Sequence, residues 1–163
     1  MKLTIKHKQI VILTLLLILL LLALAQGCGS ENSSSNCTAP AGSKVTITPA
    51  SQTISTNGKG LPVGGQVNLN WIVSVLYPSG AVMPKACVTI SGQFAVPSPF
   101  MLYQFFSGPN STGVAVNSGF SAQTDDFGQY TFSTLLSGGT GTWVDTIYVQ
   151  SGTNQANATV TLN

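Results

Sequence analysis

The chain contains no arginine, and charge of either sign is scarce. Only 6% of its 163 residues are charged, against roughly 25% in an average soluble domain. The one histidine, His7, lies among Lys2, Lys6 and Lys8. From Cys28 onward three lysines (Lys44, Lys59, Lys85) face four acids (Glu31, Asp125, Asp126, Asp145), a net of −1. The formal charge of +2 therefore pools two unlike regions. Such a chain offers no basic patch, and no nucleic-acid partner is expected. Processing before Cys28 would remove that histidine, leaving the mature chain no imidazole to activate a serine. With no later histidine and no Cys-x-x-Cys spacing, no metal site is expected, nor any cofactor. Helical periodicity with caps is also missing after Cys28.

What is present begins with an export signal. Met1–Lys8 is basic, and Ile10–Ala25 is an apolar run broken only by Thr14. A positive stretch, a short apolar run and small residues before a processing point describe a secretory signal. Sixteen helical residues at about 1.5 Å each span about 24 Å, short of the ~30 Å hydrocarbon core. Thinned bilayers and snorkelling lysines leave an uncleaved anchor as the competing reading. Leu24-Ala25-Gln26-Gly27-Cys28 resembles a bacterial lipobox, although Ala25 occupies a place usually held by leucine. That resemblance implies cleavage before Cys28 and lipidation of its thiol, with several acyl chains holding the protein on a membrane. Gly29, rather than Asp, after that cysteine resembles lipoproteins sent on to an outer membrane, in a host that has one. The organisation expected is a signal peptide over 1–27, a flexible Ser/Asn-rich tether over 28–43, and one domain over 44–163.

Three cysteines in an exported protein call for an explanation. Lipidating Cys28 leaves Cys37 and Cys87 as an even pair, which an oxidising compartment favours joining. Closing a loop of that length would stabilise by about 4 kcal/mol in the chain-entropy account. Two unrelated thiols, one buried and one exposed, are the alternative.

The body reads as strands. Val45–Thr48 is a first strand, with Gln52–Ser55 its continuation after Pro49. Val67, Leu69, Trp71, Val73 and Val75 alternate on one face of the clearest strand, and Pro78-Ser79-Gly80 ends it. Val88 and Ile90 mark the next strand, and Pro97 and Pro99 make Gly92–Pro99 irregular. Phe100–Phe106 is apolar on both faces, Val114–Val116 is a weak strand, and Gln129–Leu135 places Tyr130 and Phe132 on one side. Trp143–Gln150 and Ala158–Leu162 complete the set. Seven or more short strands in about 120 residues predict an all-β sandwich.

In their order these segments resemble a bacterial immunoglobulin-like domain of the invasin/intimin type, over about Lys44–Asn163. The resemblance rests on Val45-Thr46-Ile47-Thr48-Pro49 opening the domain and on Val67–Leu76 with its Pro78-Ser79-Gly80 turn. It continues through Val82–Ile90, the acidic turn Thr124-Asp125-Asp126-Phe127-Gly128 and the closing pair Thr142–Val149 and Ala156–Leu162. It implies an immunoglobulin-like fold and a non-enzymatic binding role. The chain departs from the family over Gly92–Gln123, which is longer and more aromatic than a plain connection. In the acidic turn an Asp side chain accepts backbone bonds two residues on and glycine tolerates a positive φ, so Asp125 and Gly128 are expected as turn residues.

Few constellations carry chemistry. Asp125 and Asp126 could contribute to a calcium site but are too few without further oxygens. Asp145, beside Trp143 and Ile147, is expected as an exposed or edge charge. A Ser–Lys pair would need Lys44, Lys59 or Lys85 buried, and each lies beside turn or tether residues. Asn32, Asn36, Asn110 and Asn157 head Asn-x-Ser/Thr triplets, which Thr- and Asn-rich chains produce by chance. The Phe100–Phe106 run reads either as a strand buried on both faces or as a source of aromatic anchors, Tyr103, Phe105 and Phe106, for a protein or glycan. The expected role is a structural, adhesive or accessory module, not an enzyme, held to the cell envelope by its lipid and facing an envelope or surface protein. On a two-membrane host the outer membrane is the expected site. The alternative is a glycan or small-ligand receptor using 100–106.

Overall fold

Strand β3 (Gln66–Leu76) organises the fold, because its strict alternation gives one dry face and one wet one. Val73 and Val75 pair in register with Ile47 and Val45 of β1 (Lys44–Thr48) on one side. On the other side Trp71 and Val67 face Phe132 and Leu136 of β8 (Gln129–Ser137). The computed structural model describes residues 37–57, 59, 61, 65–93, 102–138 and 141–163, with 102 and 103 described through their backbone. The expected signal segment, the lipobox and the tether as far as Asn36 lie outside these residues.

Among the described residues there are ten strands and no helix. The others are β2 (Ser51–Ile54), β4 (Cys87–Gln93), β5 (Leu102–Phe106), β6 (Ala115–Val116), β7 (Gly119–Gln123), β9 (Trp143–Ser151) and β10 (Asn154–Leu162). They form two five-stranded sheets, in the orders β1-β3-β8-β5-β6 and β2-β10-β9-β4-β7. The expected all-β sandwich is therefore present. Gln52–Ser55 does not continue the first strand in the same sheet, however. Pro49 has no N–H to extend the ladder with β3, and the chain crosses so that β2 runs parallel to β10 in the second sheet.

The inward faces of both sheets supply the core, with Trp71, Phe105, Phe132, Ile90, Leu136 and Ile147 among its fully buried side chains. Phe120 of β7 bridges the sheets, its ring 6.2 Å from Phe132 and 6.4 Å from Phe105. Edge-to-face pairs of this kind add about 0.5–1.5 kcal/mol each beyond area burial. The Trp71 indole N–H donates to Thr134 Oγ1 at 3.0 Å, which satisfies the polar end of the largest core side chain.

The loop between β5 and β6 packs back onto the sandwich. Residues 107–113 fold over the outer face of the first sheet. There Asn110 N–H donates to Asn70 Oδ1 (2.8 Å), and Ser133 Oγ donates to Gly108 O (2.7 Å) while accepting from Ser111 N–H (2.9 Å). Ser133 points away from the core by strand alternation yet is fully buried, because this loop covers it.

Candidate functional site

Two turns and the first described residues meet at one end of the sandwich. Strand β3 ends there at Leu76, β4 begins there at Cys87, β7 ends at Gln123 and β8 begins at Gln129. The β3–β4 connection turns at Tyr77–Gly80, where Gly80 N–H donates to Tyr77 O (2.9 Å) and Tyr77 N–H donates to Ala81 O (2.8 Å). Thr124 then ties the two connections together. Its buried hydroxyl donates to Met83 O (3.1 Å) and accepts from Ala86 N–H (2.8 Å).

The β7–β8 turn is built on Asp125. Oδ1 of its side chain accepts from Phe127 N–H (2.8 Å) and Gln129 N–H (2.9 Å). An ionised acceptor makes such bonds stronger than neutral ones. Gly128 has φ +68°, and its carbonyl accepts from Val75 N–H at 2.9 Å, docking the turn on the end of β3. The Lys85 Nζ–Asp126 Oδ1 contact of 3.0 Å lies in solvent, with side chains 63% and 79% exposed. An ion pair so exposed contributes about 0–1 kcal/mol.

Held on this rigid base are three apolar side chains in water. Phe127 is 75% exposed, Val82 50% and Tyr77 38%. These include both exposed aromatics among the described residues; Ile72, Val114 and Val144 are exposed elsewhere, on β3, the β5–β6 loop and β9. Isolated exposed aliphatics are ordinary, whereas clustered apolar groups with aromatics mark contact surfaces.

The N-terminal segment is clasped to the same end. Cys37 and Cys87 are joined by a disulfide with Cα atoms 4.9 Å apart, and Cys87 N–H donates to Cys37 O at 2.7 Å. Ser151 Oγ donates to Cys87 O (2.6 Å) and accepts from Ala39 N–H (3.4 Å), and Asn154 Nδ2 donates to Pro40 O (2.9 Å). Ala39 is buried with the core. Residues 37–43 are thus part of the folded unit, Asn36–Asn163.

Cys28 lies outside the described residues, as does the side chain of Tyr103, whose backbone belongs to β5. Phe105 is not an anchor for a partner. It is fully buried, 6.3 Å from the Phe132 ring, because β5 pairs with β8 and turns that face inward. Phe106 is partly buried on the opposite face. Asp125 and Gly128 form the turn described above. Asp145 is a correction: it is fully buried on β9, in phase with Trp143 and Ile147, so alternation overrode the preference of charge for water. Lys44, Lys59 and Lys85 are exposed. Among the described residues no group of three or more His, Cys, Asp or Glu comes together as a metal would require. At the opposite end, Ile54, Thr56, Asn57, Lys59, Leu61 and Val67 line an open depression of about 590 Å³.

Tyr77, Val82 and Phe127 had no mark in the strand pattern, because all three lie in connections. The available signal was Phe127 itself, a large apolar residue inside the Asp-Asp-Phe-Gly turn, where no strand phase can carry it into a core.

No protein-family model and no curated protein matches the chain. Among solved structures it is similar to a conjugative transposon lipoprotein from Bacteroides eggerthii, at 9% identity and a TM-score of 0.41, covering 73% of this chain and 96% of that one.

Proposed function

We propose that the chain is a lipid-tethered, non-enzymatic immunoglobulin-like module of a bacterial cell envelope, acting as a structural, adhesive or accessory subunit. The immunoglobulin-like part of this reading is supported by strand order. The first sheet runs β1-β3-β8-β5, the A-B-E-D order, and the second holds β10-β9-β4, the G-F-C order. The chain differs from antibody domains in its disulfide, which joins the segment before β1 to β4.

The observation that carries the functional reading is how the polar side chains are used. Asp125, Thr124, Ser133, Asn70 and Ser151 all hold backbone to backbone. Lys44, Lys59 and Lys85 stand in solvent, so none of them supplies the buried amine that a Ser–Lys pair would need. Lipidation of Cys28 would hold the module at the envelope, on the outer membrane of a two-membrane host. Strand β7, which pairs only with β4 among the described residues, offers an edge for strand addition by an envelope protein.

Metabolic labelling with a palmitate analogue tests the anchor: wild type takes up label and Cys28→Ala does not. Equal labelling of the two would remove the lipid. Crosslinking from intact membranes then identifies the neighbours, and envelope proteins are expected among them.

A further inference from the structure

We propose that the end of the sandwich bearing Tyr77, Val82 and Phe127 rests on the bilayer, with the Phe127 ring inserted among the lipid headgroups and upper acyl chains. This rests on the reading that Cys28 carries the lipid. Three observations support it.

The first is where the chain enters the domain. The disulfide and the Cys87–Cys37 backbone bond place Cys37 at the start of β4, at the same end as the Tyr77–Gly80 and Asp125–Gly128 turns. The second is reach. Nine peptide bonds separate Cys28 from Cys37, a contour of at most about 30 Å. A tether that short keeps this end within one domain length of the lipid surface. It therefore gives the apolar side chains a high effective concentration at that surface, and weak individual insertion becomes well populated. The third is the character of the end. Its exposed aromatics, Phe127 and Tyr77, are the residue types that settle at a water–lipid boundary. The charges borne by these strand ends and turns are equal in number, Lys44 and Lys85 against Asp125 and Asp126, and Lys85 pairs with Asp126. Contact is therefore apolar and independent of anionic lipid.

The Asp125 turn suits this role mechanically. Asp125 Oδ1 accepts from Phe127's own N–H and from Gln129 N–H, and the carbonyl of the next residue, Gly128, accepts from Val75 N–H, so the ring projects from a stiff support and loses little freedom on insertion. Acyl chains hold the protein at the membrane, whereas this contact sets the angle at which the sandwich stands on it. Strand β7 and the far-end loops are then presented outward.

The test uses the full acylated chain in phosphatidylcholine vesicles containing dibrominated acyl chains, which quench tryptophan on contact. Phe127→Trp adds a reporter to two native tryptophans, Trp71 and Trp143, that are 0% and 5% exposed. Val144→Trp is the control. Val144 is 53% exposed and lies seven residues before Ser151 on β9, about 23 Å from the docking end. The expected result is blue-shifted, bromine-quenched emission from Phe127→Trp, unchanged by adding phosphatidylglycerol, and no added quenching from Val144→Trp. Failure of the chain to float with vesicles would overturn the lipid reading and this proposal together. Flotation with an unquenched tryptophan at position 127 overturns this proposal alone. Equal quenching at both positions, a requirement for anionic lipid, or a concentration-dependent blue shift at position 127 without vesicles (a second copy covering the patch) each overturns it as well.

Discussion

Replacing Gly128 with alanine should destabilise the domain far more than the same change at Gly80, and the difference measures how firmly the acidic turn is docked. Both glycines have positive φ, +68° and +86°. Placing an L-residue there costs about 1–2 kcal/mol from the backbone conformation alone. Around Gly80 a methyl group meets nothing within 4 Å, so that conformational cost is the whole effect. At Gly128 the methyl would lie 2.8 Å from Val75 O and 3.1 Å from Met83 N. Both atoms are backbone, and they already bond each other at 3.0 Å, while Val75 N–H donates to Gly128 O at 2.9 Å. The turn must lift, and each bond lost or stretched costs about 1 kcal/mol. The expected losses are about 1–2 kcal/mol for Gly80→Ala and about 3–4 kcal/mol for Gly128→Ala. Urea denaturation followed through Trp71 and Trp143 reads this directly. At about 1–3 kcal/mol per molar urea, the midpoints of the two variants should differ by roughly 1 M. Equal midpoints would refute the docking of the turn on β3.

Three further outcomes follow from named contacts. Phe105→Ala should cost about 3–5 kcal/mol, as for other large-to-small changes in a packed core, while Phe127→Ala stays within about 0.5 kcal/mol; similar thermal shifts for the two would contradict the burial pattern. Reducing the Cys37–Cys87 bond, which spans 50 residues, should lower stability by about 4 kcal/mol and expose residues 37–43 to proteolysis; a reduced protein as stable and as resistant as the oxidised one would exclude a structural role for the clasp. Tyr130 donates its hydroxyl to Ser107 O at 2.6 Å, and burial raises its pKa above the ordinary 10.0. The folded chain thus holds this proton more tightly than the unfolded chain, so the stability it confers is complete below pH 10 and is lost as pH rises beyond it. Urea midpoints should therefore fall more steeply with alkaline pH in wild type than in Tyr130→Phe, and parallel slopes would refute it.

Much of the fold was legible because strand alternation is a local property. Val67 to Val75, the Tyr130–Phe132 pair and Trp143–Gln150 each declare a buried face at period two, and glycine, proline and asparagine mark where the chain turns. The Asp125–Gly128 turn was legible for the same reason, since its bonds span at most four residues. Strand β7 was missed because Gly119-Phe120-Ser121-Ala122-Gln123 is short and weakly apolar, and pairing with β4 makes it a strand. The start of β10 at Asn154 was missed likewise: Asn154–Asn157 is polar, and the register with β9 extends the strand through it. Asp145 was misjudged because charge was weighed above phase.

The residues alone decide that this chain forms strands, which side is dry where apolar and polar residues alternate, and that residues 24–28 resemble a lipobox, because these depend on neighbours within a few positions. Tertiary structure alone decides that Gln52 to Ile54 leaves the sheet of the strand before it, that Phe105 belongs to the core, and that Ser133 is covered from outside. It alone also brings Tyr77, Val82 and Phe127 to the end where Cys37 is clasped. The reason is that pairing between distant strands, and the side chains that end up together in water, follow from how two sheets close over one core, which no local pattern encodes.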